Sequence, residues 1–543
     1  MQQNLLDKVY LDDVLAKFDI RGRYHAVTAV WLAMGLTFET MWFCNYVLIA
    51  EEINYRCVTF NNTSEIFFSC NDQNYRNTTA ARCKDPVPCT HWVYENPNSF
   101  VAEFQLACQD WKRTLVGTVS VFGYMIGIIF VGSLSDSNHD ARRVSVVHIT
   151  SSCRALGRKT MTIVTGTAGA LCGFAKSFAG YYWIYVAFEF LEAFIGDPFS
   201  PVFVLGLEMV ATDYRATYMS IVSMGIVIGG TLFPLIKWLL PYWRTCLRVI
   251  YAPGLVFLFL IYLLDESPRW LLTKGKTDIV VKNIKKAAKL NKIEIEDNLS
   301  MLSCEGDMSA DFKTVIRETF KSRLLLRRFF VCVVWWIVGV FVGHGLTVNS
   351  VLMGGNKNLN FALAFLMRLP SSILAAYVMN IFNRRGPLLI SFVACGLICV
   401  GHPFIPKSML WLVITVYMTS RLITGMGYTI TYVFTSELFP TYTRNSMQAL
   451  CSSIGRIGGM VATQMPLLVA YWPGLPIVLY GVTSLVAAIV TLLVPDTTEI
   501  SLPDTIQQAE AIDADDHRET ARPTIQGPIV LTNKLHIENT NLD

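Results

Sequence analysis

Twelve runs of apolar residues recur along this chain of 543, each bounded by charge or by Gly and Pro. A helix needs about 20 such residues to cross a hydrocarbon core of roughly 30 Å, and the runs reach that length. They fall at about 26–48, 114–134, 159–178, 181–209, 217–239, 246–264, 329–350, 359–381, 386–404, 408–435, 446–470 and 474–494. Within a bilayer each backbone polar group must be satisfied inside the protein, and long runs without alternation leave the helix as the available form. Composition agrees: 53% of residues are hydrophobic and 16% charged, too apolar a balance for an ordinary soluble enzyme. The expectation is an all-α, twelve-helix integral membrane protein.

Orientation follows from where the basic residues lie, because cytoplasmic loops carry the excess of Lys and Arg. The stretch 265–328 has fourteen of them, among them Lys282, Lys285, Lys286, Lys289 and Lys292, whereas the connections near 350–358 and 405–407 have one each. The first 25 residues are polar, carry Lys8, Lys17, Arg21 and Arg23, and do not read as a cleavable signal peptide. Both termini are therefore expected in the cytosol, with the polar tail 495–543 mostly disordered. The net charge of +4 follows this topology, and nothing in it points to nucleic acid.

The connection 49–113 should face outward. It carries Cys57, Cys70, Cys83, Cys89 and Cys108, with glycosylation sequons at Asn61, Asn62 and Asn77. Cysteines clustered among such acceptors indicate an oxidising compartment and a disulfide-linked loop. Five is odd, so one thiol is either free or joined to Cys44, and the pairing is not legible.

The basic stretch 265–328 divides the chain into two sets of six spans, 26–264 and 329–494, and the sets share signatures. "EMVATDYR" (Glu208 to Arg215) follows span four and "ELFPTYTR" (Glu437 to Arg444) follows span ten, acid and arginine seven apart in both. Seven residues place both charges on one helix face, or both at the membrane boundary if the helix breaks between them. After spans two and eight stand two further related turns, "GSLSDS…LGRKT" and "NIFNRRGP", the latter with Arg384 and Arg385.

These words resemble the major facilitator superfamily, whose turn after span two reads G-x-L-x-D-x-x-G-R-K. Gly132, Leu134 and Asp136 match its front, and Gly157, Arg158 and Lys159 its back. "DESPRWLL" after span six, with Glu266 and Arg269, "WVYENPNSFVAEFQLAC" before span two and "SELFPTYTRN" before span eleven narrow the likeness to the organic cation, anion and carnitine transporter family, over nearly the whole chain to about residue 505. The resemblance implies two pseudo-symmetric six-helix bundles, no enzymatic activity and no cofactor. It also implies a gate built from the charged residues at the inner helix ends, in which Asp136 latches to Arg158 and Lys159.

Eighteen residues, Asn138 to Ala155, interrupt that turn where the pattern has two. Three readings compete: a retained intron, since the insertion is in frame; a true loop insertion, tolerated because loop length costs little entropy; or a regulatory segment using "ARRVS" ahead of Ser145. A long insertion should loosen the expected latch.

Ionisable groups inside spans are costly unless they pair or line a polar cavity. Span four holds Glu189 and Glu192, spaced to share a face, and Asp197 just before the helix-breaking Pro198. Glu39 lies in span one, read either as a functional candidate or as an acid near the outer rim, Arg368 in span eight, Arg421 in span ten and Arg456 in span eleven. Members of the family commonly have arginine at the position of Glu189, whose symmetry mate is Arg421. Arg456 stands where cation carriers tend to have an acid and where anion and carnitine carriers tend to have arginine. Tyr124, Trp336, Tyr428 and Tyr432 offer aromatic faces to a cation, and His344 titrates near neutral pH when exposed. The plainer alternative pairs Glu189 or Glu192 with Arg421 or Arg456 as a structural salt bridge.

No H-E-x-x-H occurs, and "TKGKT" lacks the upstream glycine of a phosphate loop, so metal hydrolysis and ATP-driven pumping have no support. The expectation is a plasma-membrane secondary transporter of small organic cations or zwitterions, carnitine-, choline- or amine-like, working by alternating access within the lipid bilayer. Voltage alone suffices to drive a cation: one charge across ~60 mV gains about 1.4 kcal/mol, a roughly tenfold accumulation. A coupling ion, Na⁺ or H⁺, stays open. The alternatives are an organic-anion carrier and a transport-dead receptor or scaffold.

Overall fold

The computed structural model describes residues 9–61, 64–69, 91–135, 157–294, 302–303, 320–406 and 408–495. Helices occupy every apolar run. Span one is Arg23–Phe43, continued by Asn45–Ile49; span two is Asp110–Ser135 and span three Arg158–Lys176. Span four is Tyr182–Ile195 and then Phe199–Glu208; span five is Arg215–Val222 and Met224–Leu239; span six begins with Trp243–Tyr251. Span seven is Arg323–Asn349, span eight Lys357–Leu366 and Arg368–Ile381, and span nine Arg385–Gly401. Spans ten to twelve are Leu410–Glu437, Thr441–Gln464 and Leu475–Thr491. Among the described residues, eight helical segments are long and apolar enough to cross a membrane.

Each half closes around its own core. Leu36, Trp42, Tyr185, Trp243 and Phe257 are buried at the centre of the first, and Trp335, Trp336, Phe434 and Tyr480 at the centre of the second. Large apolar side chains such as Trp183, Tyr262, Ile373 and Ile390 point outward and are more than half exposed. That inversion suits a solvent of lipid tails, against which apolar surface costs nothing.

Two local features depart from plain helices. Span six loses its α-helical pitch after Tyr251 and runs as a 3₁₀ helix over Ala252–Phe259, where Pro253 has no N–H to continue the ladder. The 49–113 connection contains a three-stranded antiparallel sheet of Tyr55–Asn61, Ser64–Ser69 and His91–Tyr94 with the first strand central.

A third, smaller core lies beyond the helix ends on the opposite face. The amphipathic helix Thr277–Asn291 turns Val280, Ile284 and Ala288 onto Leu11, Val14 and Phe18 of the chain's head and leaves Lys282, Lys285 and Lys289 exposed. The head and the 265–292 segment thus share one face, the basic face, and the 49–113 connection marks the other, the loop face.

The halves touch each other toward the loop face. Tyr46 Oη and His344 Nε2 lie 2.5 Å apart, Thr118 and Thr463 share a hydroxyl hydrogen bond of 2.7 Å, and Thr114 donates to Gln464 at 3.0 Å. Lys357 Nζ donates to the carbonyl of Glu52 at 3.0 Å and pairs with Glu51 at 3.6 Å. Val348, Val351, Phe361 and Phe365 of the second half extend the first half's core from the same end.

Candidate functional site

Span four breaks where Pro198 excludes a continuous helix. At the break Gly196 lies directly on the backbone of Gly169 in span three, so close that any Cβ on Gly196 would collide with it. The restarting helix takes its first support from Asp197, whose Oδ1 accepts the N–H of Phe199 at 2.9 Å.

This kink exposes Asp197 to a narrow cavity between spans one, two and four, with about 20 Å³ of water-accessible space. Glu39, Glu192 and Asp197 line it together with Trp42, Phe43 and Tyr124. Glu39 is buried among these groups, so of its two readings the acid near the outer rim does not hold: span one runs on past it to Ile49. From the other half, the guanidinium of Arg456 stands 4.8 Å from the ring centre of Tyr124 and within electrostatic reach of Glu39 and Asp197. Three carboxylates and three aromatic faces from one half therefore meet the guanidinium of Arg456 from the other, with Arg368 also within electrostatic reach of Glu39.

Behind the cavity, Glu189 and Glu192 do not pair with Arg421 or Arg456. Their cation is Lys176, the last residue of the span-three helix and fully buried. Its Nζ donates to Glu189 Oε2 at 2.7 Å and to Glu192 Oε2, and stands 4.8 Å from the ring centre of Tyr251. Tyr251 donates its hydroxyl to Glu192 Oε1 at 2.5 Å, and Asn45 donates to Tyr251 at 3.1 Å and to Glu189 Oε1 at 3.4 Å. Span three reaches the acids first because its end lies beside the start of span four, whereas spans ten and eleven belong to the far half. Lys176 escaped the sequence reading because it sits at the edge of its run, where a lysine normally snorkels to water. Two acids on one apolar helix face signal a cation but do not say which helix supplies it.

In the second half Trp336, Tyr428 and Tyr432 form one cluster, with ring centres 5.6 Å from Trp336 to each tyrosine. Trp336 is buried and donates to Thr435 at 3.2 Å, and Tyr428 lines a second, mostly apolar cavity among Val342, Phe392, Cys395 and Thr424. Arg421 donates to the carbonyl of Gly343 at 2.8 Å, and Arg368 opens the second helix of span eight within electrostatic reach of Arg421. His344 lies 5.5 Å from Phe43 and bonds Tyr46, so it joins the two halves.

At the basic face each half carries the same ion pair. Arg158 Nε reaches Glu208 Oε2 at 3.3 Å, and Arg384 Nε reaches Glu437 Oε1 at 3.2 Å. Arg158 is thus held by the end of span four; Asp136, its expected latch partner, lies outside the described residues, as does the 138–155 insertion. Glu266 Oε1 accepts the backbone N–H groups of Arg158, Lys159 and Ser267 at 2.8, 3.0 and 3.0 Å, directly beneath Gly157, whose φ of +87° excludes other residues without strain. Lys159 Nζ donates to the carbonyl of Ile261 at 2.6 Å, Arg385 to that of Leu492 at 2.8 Å, and Arg269 pairs with Asp12. The helix breaks between Glu208 and Arg215, and again between Glu437 and Arg444, so of the two geometries open to these words the boundary one is present.

On the loop face Cys108 is disulfide-bonded, while Cys44 is a free buried thiol and so is no partner for the outer cysteines. Cys57 and Asn61 lie in the first strand of the sheet. Cys70, Cys83, Cys89, Asn62 and Asn77 lie outside the described residues.

Comparison with known proteins matches the family model described as Major Facilitator Superfamily over residues 110–463 and again over 356–526. "Solute carrier family 22 member 1" of Bos taurus is 30% identical over 432 residues, 78% of this chain and 73% of its own. "Organic cation transporter-like protein" of Drosophila melanogaster is 29% identical over 445 residues, 78% and 75% of the two chains. The fold resembles the inward open xylose transporter XylE from E. coli, with a TM-score of 0.54, 14% identity and coverage of 89% of this chain and 99% of that one. A second XylE structure, a proton:xylose symporter bound to 6-bromo-6-deoxy-D-glucose, gives 0.56 at 15% identity, covering 90% and 99%.

Proposed function

The chain belongs to the major facilitator superfamily and, within it, to the solute carrier 22 transporters; from that premise we propose that it carries small organic cations or zwitterions across the plasma membrane by alternating access. The observation behind this reading is the cavity at the span-four break, where Glu39, Glu192 and Asp197 stand beside Trp42, Phe43 and Tyr124. Carboxylates attract an ammonium group, and an aromatic face adds roughly 0.5–2 kcal/mol for a quaternary one. Arg456, over Tyr124, supplies the anchor for a carboxylate at the substrate's other end. The relatives' printed names, organic cation transporter among them, point the same way.

The units that move are residues 26–264 and 329–494, with both termini on the cytosolic side. Contacts between the halves near the loop face fit a state open toward the basic face. An organic-anion carrier is the second reading, favoured by Arg368 and Arg421 lying near each other in the second half.

Uptake of labelled choline, carnitine and a dicarboxylate into cells bearing the chain at their surface tests the choice. Choline or carnitine should enter, and Asp197→Asn should lower that uptake about ten- to hundredfold, the worth of one charge-assisted contact. Preferred entry of the dicarboxylate would instead establish the anion carrier, and entry of none the scaffold.

A further inference from the structure

Two carboxylates of span four share one ammonium. Lys176 Nζ serves an oxygen of Glu189 at 2.7 Å and an oxygen of Glu192, and the side chains of all three are at most 7% exposed. The other contacts of the pair come from neutral donors, Tyr251 Oη at 2.5 Å and Asn45 Nδ2 at 3.4 Å. With every group ionised, the network carries one uncompensated negative charge in a buried place.

The surrounding titratable and charged groups do not cancel it. Span one contributes Glu39, span two Tyr124, span three Cys172, span four Tyr185 and Asp197, and span six Tyr251. The second half contributes Arg456, which sits over Tyr124 on the Glu39 and Asp197 side, and Arg368, within electrostatic reach of Glu39. Across cavity and network together, four carboxyl groups thus face three cations, Lys176, Arg456 and Arg368. A buried carboxylate without its own counter-ion is held neutral by a proton, unless another positive charge takes that proton's place. Glu192 alone of the pair also borders the cavity, so its charge can be sensed by whatever enters there.

We propose that Glu189 and Glu192 together hold one exchangeable proton, and that the ammonium group of an entering substrate displaces it, which makes the carrier a cation–proton exchanger. The inference rests on the cation reading of the cavity. In the exchange a carboxyl O–H releases its proton to the water on the open side, leaving a carboxylate beside the substrate's positive charge. One charge enters as one leaves, so the completed cycle moves no net charge and is driven by a pH difference in place of the membrane voltage.

The test uses the purified full chain in liposomes, labelled choline as probe, and the membrane potential clamped at zero. A lumen one pH unit more acid than the bath should draw choline inward about tenfold at equilibrium, and the lumen should become more alkaline as choline enters. Glu189→Gln and Glu192→Gln should each abolish this pH-driven accumulation. Entry that follows an imposed voltage but ignores the pH difference would overturn the proton site and leave the cation reading standing. If the wild-type chain moves no choline, the cation reading is what fails, and infrared difference spectra between acid and alkaline samples judge the proton by itself. A carboxylic C=O band lost in both variants supports the shared proton, and a wild-type spectrum without such a band overturns it.

Discussion

Lys176 is a lysine that the chain has taken wholly out of solvent, and the consequences of removing its charge can be worked out from its partners. Its Nζ is within hydrogen-bonding distance of two carboxylates, on Glu189 and Glu192. Breaking a buried ion pair by deleting one partner costs about 3–5 kcal/mol, because the remaining charges stay buried, whereas replacing a whole set by neutral groups of similar shape is often harmless. Lys176→Met should therefore lower the thermal unfolding temperature of the purified chain sharply, and the triple variant with Glu189→Gln and Glu192→Gln should recover most of the loss. A triple variant as unstable as the single one would show that packing around the lysine stem, and not charge, sets the stability. At this scale the sequence was half legible. The acids announced themselves by standing in an apolar run, but a cation at the end of a neighbouring run looks like an ordinary boundary residue, and only the packing of span three against span four shows it turned inward.

Among the elements, the start of span three shows how a helix end is fixed by a carboxylate from the far end of span six. Glu266 gathers the N–H groups of Arg158, Lys159 and Ser267, supplying negative charge where the helix dipole is positive. Glu266→Gln keeps an acceptor but loses the charge and should cost about 1–2 kcal/mol, read as a lower unfolding temperature with the fold retained. Gly157→Ala should cost more, since a methyl group there runs into the Glu266 carboxylate and the backbone is left-handed. The span-four kink could be anticipated because proline acts locally on its own backbone. The sheet within 49–113 could not, since its strands are held by pairing across distant residues such as Tyr55 with Tyr94. The 3₁₀ stretch of span six lies between these cases: Pro253 marks the spot, but its extent depends on packing against span three.

For the whole molecule, what matters is how the halves meet. Their described polar contacts lie near the loop face, with Thr118 and Thr463 hydroxyls 2.7 Å apart. A carrier that alternates must part these residues in every cycle. A Thr118→Cys, Thr463→Cys variant should lose substrate uptake on mild oxidation and regain it on reduction, and uptake unaffected by a verified cross-link would show that this seam stays shut during transport. The duplicated architecture was legible from paired words such as those at Glu208 and Glu437, because a repeat is a property of sequence itself. The seam was not, since residues such as Tyr46 and His344 are 298 positions apart and carry no mutual signature.

The twin clasps at the basic face, Arg158 with Glu208 and Arg384 with Glu437, each tie two helix ends within a single half. On the alternating-access reading neither has to open, so each bundle can travel as one stiff piece. Two such pieces need not be made as one polypeptide: produced separately in the same membrane they should still assemble and restore uptake, and failure to do so would show that Val348, Val351, Phe361 and Phe365 are needed to complete the first half's core.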